Sequence, residues 1–213
     1  SSPGLQVVWF KKDLRTIDHS ALSQASRSGP VLPLFIVEPM FWAQPDASAR
    51  QWQFCAESLA ELREALAELG QPLVIRTGDA LAVLKALQRQ RGIAQLWSHQ
   101  ETGNDFTYRR DRVVAHWCRE QGIPWHQPRS FGVIRALSNR DGWAPAWELL
   151  MRQPLCAEPA PLHPLDGIDP GVIPSAKDLN LPSDSCPGRQ RGGRSQGVTL
   201  LESFLQQRGR RYA

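Results

Sequence analysis

The stretch WFKKDLRTIDHSAL (Trp9–Leu22) changes character twice and decides the fold. It completes an apolar run that begins at Leu5, crosses a charged loop and enters a segment of small and apolar residues. A short apolar run bounded by polar residues is typical of a buried strand. The segment that follows predicts a short helix near Ser20–Ser28, closed by Gly29 and Pro30. The stretch is therefore predicted to form a strand, a charged loop and a helix in succession.

The same succession continues to about residue 127. Strands that alternate with helices and are apolar throughout are typical of a parallel sheet with helices on both faces. We therefore predict an α/β fold with a doubly wound, five-stranded parallel sheet of the Rossmann-like kind. The clearest helix carries leucines at spacings of three and four, which places them on one face: Leu59, Leu62, Leu66 and Leu69. The later strands are expected at Val31–Val37, Pro72–Thr77, Ala94–Ser98 and Ile123–Gln127, and two further helices between Asp79 and Gly92 and from Thr107 to Gln121.

The expected ligand site follows from this fold, because such sheets bind ligands beyond the carboxyl ends of their strands. The relevant loops are Lys11–His19, Glu38–Arg50, residues 78–79 and His99–Asp105. Asp13 lies among cations and needs a partner, which the segment Arg109–Arg112 can supply if the two regions adjoin. His99 follows a strand directly, and a structural role is favoured for it over a ligand contact.

Three segments are expected along the chain. Residues 1–152 form the α/β domain, and residues 153–191 form a proline-rich linker that is either draped on a surface or mobile. Residues 192–213 hold a short amphipathic helix, which cannot form a domain alone. The sequence is therefore expected to be a fragment that ends where a further domain begins.

Composition excludes several classes of protein. The formal charge is +4 at pH 7, which suits an anionic partner but does not require one. The cysteines form no CxxC pair, so neither a metal site nor a disulfide framework is expected, and a cytoplasmic location is the default. No apolar run has the length of a membrane span. Glycine-rich phosphate loops and a nucleophile elbow are also absent from the sequence. The cysteines are Cys55, Cys118, Cys156 and Cys186.

The opening stretch resembles the first motif of the DNA photolyases and cryptochromes, which has the form W-F-R-x-D-L-R-x-x-D-x-x-A-L. Further features match in the same order along nearly the whole chain. They are Val31–Pro39, Ala49-Arg50, Gly78-Asp79, Trp97, Tyr108–Asp111, Gly192-Gly193, Leu200–Leu205, Arg208 and Tyr212.

The resemblance implies a light-harvesting role. In that family an N-terminal α/β domain holds an antenna pigment, and a helical domain holds FAD, which splits pyrimidine dimers in DNA after light absorption. Tyr212 matches the earliest FAD contact of the family, a role it can have only in the full-length protein. The parent is thus expected to be a deoxyribodipyrimidine photolyase whose partners are pyrimidine-dimer DNA and the missing FAD-binding domain. The fragment itself is expected to have no catalytic residues and to bind no FAD stably.

The resemblance also bears on the pigment. The family's folate-type site needs a histidine where this chain has Pro45, and an Asn-Glu pair where it has Phe106-Thr107. A deazaflavin, FMN or lumazine-type pigment is therefore favoured over folate, and an empty pocket remains an alternative. Suitable ring-edge contacts and cations for a phosphate or polar tail lie in the sheet-edge loops. The predicted pigment-binding residues are Lys11, Arg15, Glu38, Arg50, Gln100, Glu101 and Asn104.

Two other functions stay open at this point. A cryptochrome-type photoreceptor has the same fold and uses it for signalling. A generic nucleotide-binding α/β domain explains the sheet but not the ordered set of motifs.

Overall fold

A computed structural model describes residues 4–45, 47–100, 105–128 and 157–181. Strands and helices alternate as the sequence predicts, with one addition. The loop that contains Pro39 and Pro45 includes a four-residue helix at Pro39–Trp42, where Pro39 occupies the first turn and its missing N–H leaves no bond unmade. The elements are β1 (Gln6–Phe10), α1 (Ser20–Ser28), β2 (Val31–Val37), α2 (Pro39–Trp42), α3 (Ala49–Leu69), β3 (Val74–Thr77), α4 (Ala80–Arg91), β4 (Gln95–Trp97), α5 (Asp105–Gln121) and β5 (Trp125–His126).

The five strands form one parallel sheet in the order β3-β2-β1-β4-β5. The chain first runs outward from β1 to β3 and then returns to place β4 on the other side of β1. The predicted doubly wound α/β fold is confirmed. The change of direction puts a crevice beyond the carboxyl ends of β1 and β4, where ligands of such sheets bind.

Helices cover both faces of the sheet. One core contains the inward residues of α1 and α3, including Leu22, Leu59 and Leu66. The other contains those of α4 and α5, including Leu84 and Val114. The spacing of Val113, Val114 and Trp117 predicts an apolar stripe on α5, but Val113 is 50% exposed. The buried face of α5 consists of Thr107, Val114, Trp117 and Cys118 instead.

The helix ends follow their local sequence. Ser48 accepts a hydrogen bond from the N–H of Gln51 while the Gln51 side chain accepts one from the N–H of Ser48, a capping box that fixes the start of α3. Asp79 caps α4 through the N–H of Ala82, as the sequence predicts. Gly70 ends α3 at φ 128°, a region that favours glycine.

Residues 157–181, here called the strap, lie against the α/β domain as irregular chain. The N–H of Ile75 in β3 donates to the carbonyl of Pro170 at 2.8 Å, and the indole N–H of Trp52 donates to Pro174 at 2.7 Å. Leu162 is buried in the core beside α3. The strap therefore covers the β3 edge of the sheet, which would otherwise offer unpaired backbone groups.

Of the two alternatives for the linker, the draped one holds for the strap. The predicted limits of the linker remain predictions. The helix expected within residues 192–213, with Tyr212, falls outside the described residues. Within the described ranges, no helix combines the length and the hydrophobicity of a membrane-spanning segment.

Candidate functional site: the crevice beside the first strand

Asp13, in the loop after β1, is the centre of a buried polar cluster. Its Oδ1 accepts the backbone N–H of Lys11 at 2.9 Å. Its Oδ2 lies 2.5 Å from Nε2 of His19, the residue that precedes α1. The Nδ1 of His99, just after β4, lies 2.8 Å from the same oxygen, although off the direction of a well-formed hydrogen bond. One carboxylate thus connects β1, α1 and β4.

The proton positions on the two histidines follow from their other contacts. Nδ1 of His19 accepts the N–H of Leu22 at 3.0 Å, and Nε2 of His99 accepts the N–H of Ala21 at 3.2 Å. A ring nitrogen that accepts a hydrogen bond carries no proton, so each neutral ring holds its proton on the nitrogen that faces Asp13. Two neutral histidines therefore join a carboxylate to the amino end of α1, where negative charge is favourable.

The pKa values agree with this assignment. Burial alone would raise the pKa of Asp13, but the contacts with His19 and His99 outweigh it and hold that pKa well below its usual value. Burial lowers the pKa of His19, although the carboxylate of Asp13 acts in the opposite direction. Both directions favour an ionised Asp13 beside a neutral His19.

The same three residues have the composition of a metal site, and their potential ligand atoms lie within 4.8 Å of one another. A metal ion needs an unprotonated nitrogen on each histidine, with the opposite ring nitrogen usually donating a hydrogen bond. Here the opposite nitrogens accept helix N–H groups, so the nitrogens that face Asp13 must hold protons. The chemistry of the cluster fits an anchor for α1 and does not fit a metal ion.

A second polar network joins the end of β1 to α5. Nζ of Lys11 lies 3.2 Å from Asp111, whose Oδ1 lies 3.1 Å from Nε of Arg110. Arg110 donates to Oε1 of Glu38 at 2.6 Å. About nine-tenths or more of the side chain is buried in Lys11, Arg110 and Glu38, whereas Asp111 is more exposed. Lys11 and Arg110 both lie over the ring of Trp9, at 4.4 and 4.9 Å from its centroid.

This network closes part of the crevice. The space bounded by Trp9, Lys11, Glu38 and Trp42 has a volume of about 50 Å³, which holds a water molecule or two and no aromatic ligand. A cavity of about 460 Å³ lies on the other side of Glu38, between the carboxyl ends of β2 and β3 and the first half of α5. We call it the α5 cavity. It is lined by Glu38, Gln44, Asp79, Leu81, Asp105, Phe106, Arg109, Arg110, Val113 and Val114.

The structure brings together only some of the residues predicted to bind a pigment. Glu38 lines the α5 cavity, and Lys11 reaches it only through Asp111 and Arg110. Arg15 donates to the carbonyl of Asp18 within its own loop. Arg50 is exposed near the start of α3, and Gln100 lines a different recess on the far side of α5.

Glu101 and Asn104 fall outside the described residues. The first loop and α5 do adjoin, through the ion pair of Lys11 with Asp111, but the α5 segment does not supply the partner that was predicted for Asp13. That prediction for Asp13 is wrong, because His19 and His99 approach its carboxylate instead of the arginines of α5.

Sequence reasoning missed Phe106, Arg109 and Asp105 as cavity residues, although the cluster of charges at the start of α5 was visible. It also missed His19 as a partner of Asp13. The signal was present there, since a residue just before a predicted helix is a capping position, and histidine is an unusual choice for it.

Both cysteines in the described part of the chain behave as apolar core residues. Burial raises the pKa of Cys55 to about 12 and that of Cys118 to about 11, so neither thiol is reactive at neutral pH.

Comparison with known proteins supplies the family. The family model for DNA photolyase matches residues 6–136, which is more than half of the chain. The chain therefore belongs to the DNA photolyase family, and the alternative of an unrelated nucleotide-binding domain is wrong.

Relatives in this family carry two kinds of name. Cryptochrome DASH of Gloeobacter violaceus is 30% identical over an alignment of 223 positions, which spans 95% of this chain and 44% of that protein. The deoxyribodipyrimidine photo-lyase of Agrobacterium fabrum is 40% identical over 119 residues, which cover 55% of this chain and 24% of that protein.

Solved structures agree on the fold. A cryptochrome from Synechocystis superposes with a TM-score of 0.73 at 20% identity, over 96% of this chain and 46% of that one. An archaeal photolyase from Sulfolobus tokodaii, described with two FAD molecules, gives 0.67 at 22% identity over 92% of this chain and 45% of that one. The chain thus spans less than half the length of each of these proteins.

Proposed function

We propose that this chain is the light-harvesting, chromophore-binding domain of a deoxyribodipyrimidine photolyase. The observation that carries the proposal is the α5 cavity. It has the volume of a small-molecule site and lies beyond the carboxyl ends of β2 and β3, at the same edge of the sheet as the crevice beyond β1 and β4. Membership of the DNA photolyase family gives light-driven chemistry as the context.

The lining of the α5 cavity suits a planar pigment with a charged tail. One wall of the cavity is apolar and aromatic, so a ring system can pack against it; it consists of Leu81, Phe106 and Val113. Glu38 provides a hydrogen-bond acceptor for the ring edge, and Arg110 holds that carboxylate in place. Arg109, which is exposed on the cavity wall, provides a cation for a phosphate or polar tail.

These residues favour a deazaflavin, FMN or lumazine-type pigment over folate. Pro45 and Phe106-Thr107 stand where the folate-type site of the family has its polar residues. Of the pigment contacts predicted from the sequence, Glu38 is the one we retain as direct. Lys11 acts through Asp111 and Arg110, and we propose no direct contact for Arg15 or Arg50.

The whole protein in which this domain belongs is proposed to bind FAD and to repair pyrimidine-dimer DNA. A cryptochrome-type photoreceptor is the second candidate, because a relative similar over 95% of this chain is a cryptochrome DASH. Splitting of dimers by the illuminated full-length protein separates the two. The buried, free thiols of Cys55 and Cys118 suit the reducing cytoplasm, which is the location we propose.

Titration of the chain with FMN, followed by flavin fluorescence, tests the pigment site. Arg109→Gln should weaken FMN binding by about ten-fold or more, the contribution of a hydrogen bond to a charged group. The control is Arg89→Gln, which removes an equally exposed arginine from α4, away from the cavity. Equal affinities for both variants, or preference for folate over FMN, would overturn the assignment of the α5 cavity.

A further inference from the structure

We propose that the recess on the far flank of α5 binds single-stranded nucleic acid. This recess, here called the α5/β5 groove, has a volume of about 620 Å³ and opens between α5 and β5. The proposal goes beyond the antenna function and does not depend on a pigment. The groove is lined by Gln100, Tyr108, Asp111, Arg112, Ala115, Cys118, Arg119, Ile123, Pro124, Trp125 and Gln127.

The groove presents an aromatic ring to solvent. Tyr108 is 63% exposed, so its ring is accessible to a ligand. The guanidinium of Arg112 lies 5.8 Å from the centroid of that ring and keeps a cation beside it. A ring that is exposed and flanked by a cation is the arrangement on which unpaired bases stack.

A second aromatic residue forms the opposite wall. Trp125 is half-buried, and its indole N–H donates to Ser98 at 2.9 Å. It also stacks on Trp9, with the ring centroids 6.1 Å apart. These two contacts fix the orientation of Trp125, so this wall of the groove is rigid and needs no reordering when a ligand binds.

The charge of the groove favours an anion. Its only carboxylate among the described lining residues is Asp111, which already contacts Lys11 and Arg110. The net charge of the groove lining is therefore positive, because of Arg112 and Arg119. They are seven positions apart on α5, two helical turns, so both point to the same side. Each guanidinium group can bind a phosphate of the same nucleic-acid strand.

The length of the α5/β5 groove favours a nucleic-acid strand over a free nucleotide. From Tyr108 to Arg119 the groove follows about 16 Å of helix, which is longer than one nucleotide. The bases of an intact duplex face its axis and cannot reach Tyr108 or Trp125. Side-chain amides of Gln100 and Gln127 at the rim accept and donate hydrogen bonds without strong preference for one base.

Anisotropy of a short fluorescein-labelled oligothymidylate, titrated with the 213-residue chain at about 50 mM salt, tests the proposal. Replacing Arg112 and Arg119 together with glutamine should weaken binding by about ten-fold or more. It should also reduce the slope of log affinity against log salt by about 1.4, which is 0.7 for each lost phosphate contact. Tyr108→Leu should weaken binding by about five-fold or more without changing that slope, because it removes stacking only.

The matched control replaces Lys85 and Arg89 with glutamine. This pair removes the same charge from the exposed face of α4, outside the groove. Circular dichroism checks that every variant is folded. The proposal is overturned if the chain does not bind the oligonucleotide, if the control weakens binding as much as the groove variants, or if inorganic polyphosphate of equal charge binds as tightly. None of these outcomes depends on FMN binding, so failure here is distinct from failure of the antenna proposal.

Discussion

Asp13→Asn replaces a buried carboxylate with a group of nearly the same shape, and its effect on stability tests the proton assignment in the cluster. The asparagine oxygen can replace Oδ1 and accept the N–H of Lys11. Its NH₂ group then faces the ring N–H groups of His19 and His99, so donors meet donors. Moving the ring protons to the opposite nitrogens gives no relief, because those nitrogens face the N–H groups of Ala21 and Leu22.

The expected magnitude follows from the number of lost contacts. Removing one partner from a buried charged network costs about 3–5 kcal/mol of unfolding free energy. With a urea m-value of about 2 kcal/mol/M for a domain of this size, the unfolding midpoint should fall by about 1.5–2.5 M.

Urea unfolding followed by tryptophan fluorescence measures this change. The matched control is Asp79→Asn, an equally isosteric replacement at the exposed cap of α4, where asparagine and aspartate cap equally well. It should change stability by less than about 0.5 kcal/mol. A loss below about 1 kcal/mol for Asp13→Asn, or equal losses for both variants, would show that the proton assignment is mistaken.

Two further predictions concern acid and the strap. Acidification should destabilise the folded protein through both His19 and Asp13. His19 binds a proton more weakly when folded, so stability falls below about pH 6.5, and the lowered pKa of Asp13 adds a further loss below about pH 4. His19→Asn, which keeps the cap, should flatten the unfolding free energy between about pH 7 and pH 5; an unchanged slope there would refute the role of His19. Gly171→Ala should release the strap, because a Cβ there would lie 2.2 Å from the carbonyl oxygen of Ile75. Gly92→Ala is its control, with φ 74° against 75° and no atom within 4 Å, and amide hydrogen exchange at Ile75 should accelerate only in the first variant.

Much of the fold was predictable because short stretches of sequence specify its strands and helices. The apolar run that ends at Phe10, the leucine spacing of α3, and the caps at Asp79 and Gly92 each specify an element without reference to the rest of the chain. The short helix α2 was not predictable in the same way. A four-residue helix has too few positions for a periodic pattern, and its buried Phe41 and Trp42 are explained by tertiary packing.

The site was less predictable, because its contacts join distant parts of the sequence. Asp13 and His99 meet only because β4 returns to lie beside β1. Glu38 and Arg110 meet only because α5 packs over the end of β2. Loop residues such as Arg15 and Arg50 carry suitable charges, but the direction in which each side chain points depends on backbone geometry that no spacing rule supplies.

The position of the strap could not be predicted from the sequence either. Its prolines and weak periodicity predict irregular chain correctly, yet they do not say where that chain lies. Its position depends on Arg63, which donates to the carbonyls of Leu73, Pro170 and Gly171 and so ties the strap to both α3 and β3. A basic residue on an amphipathic helix gives no indication of such a role.

The most direct test of the central claim is the absorption spectrum of the full-length protein purified from its own cells, followed by mass identification of every pigment released on denaturation. The account predicts two pigments: FAD, and a second molecule of the deazaflavin, FMN or lumazine class in about one-to-one ratio to the protein. FAD alone, with no second pigment retained or rebound by the α5 cavity, would contradict the assignment of this domain as an antenna.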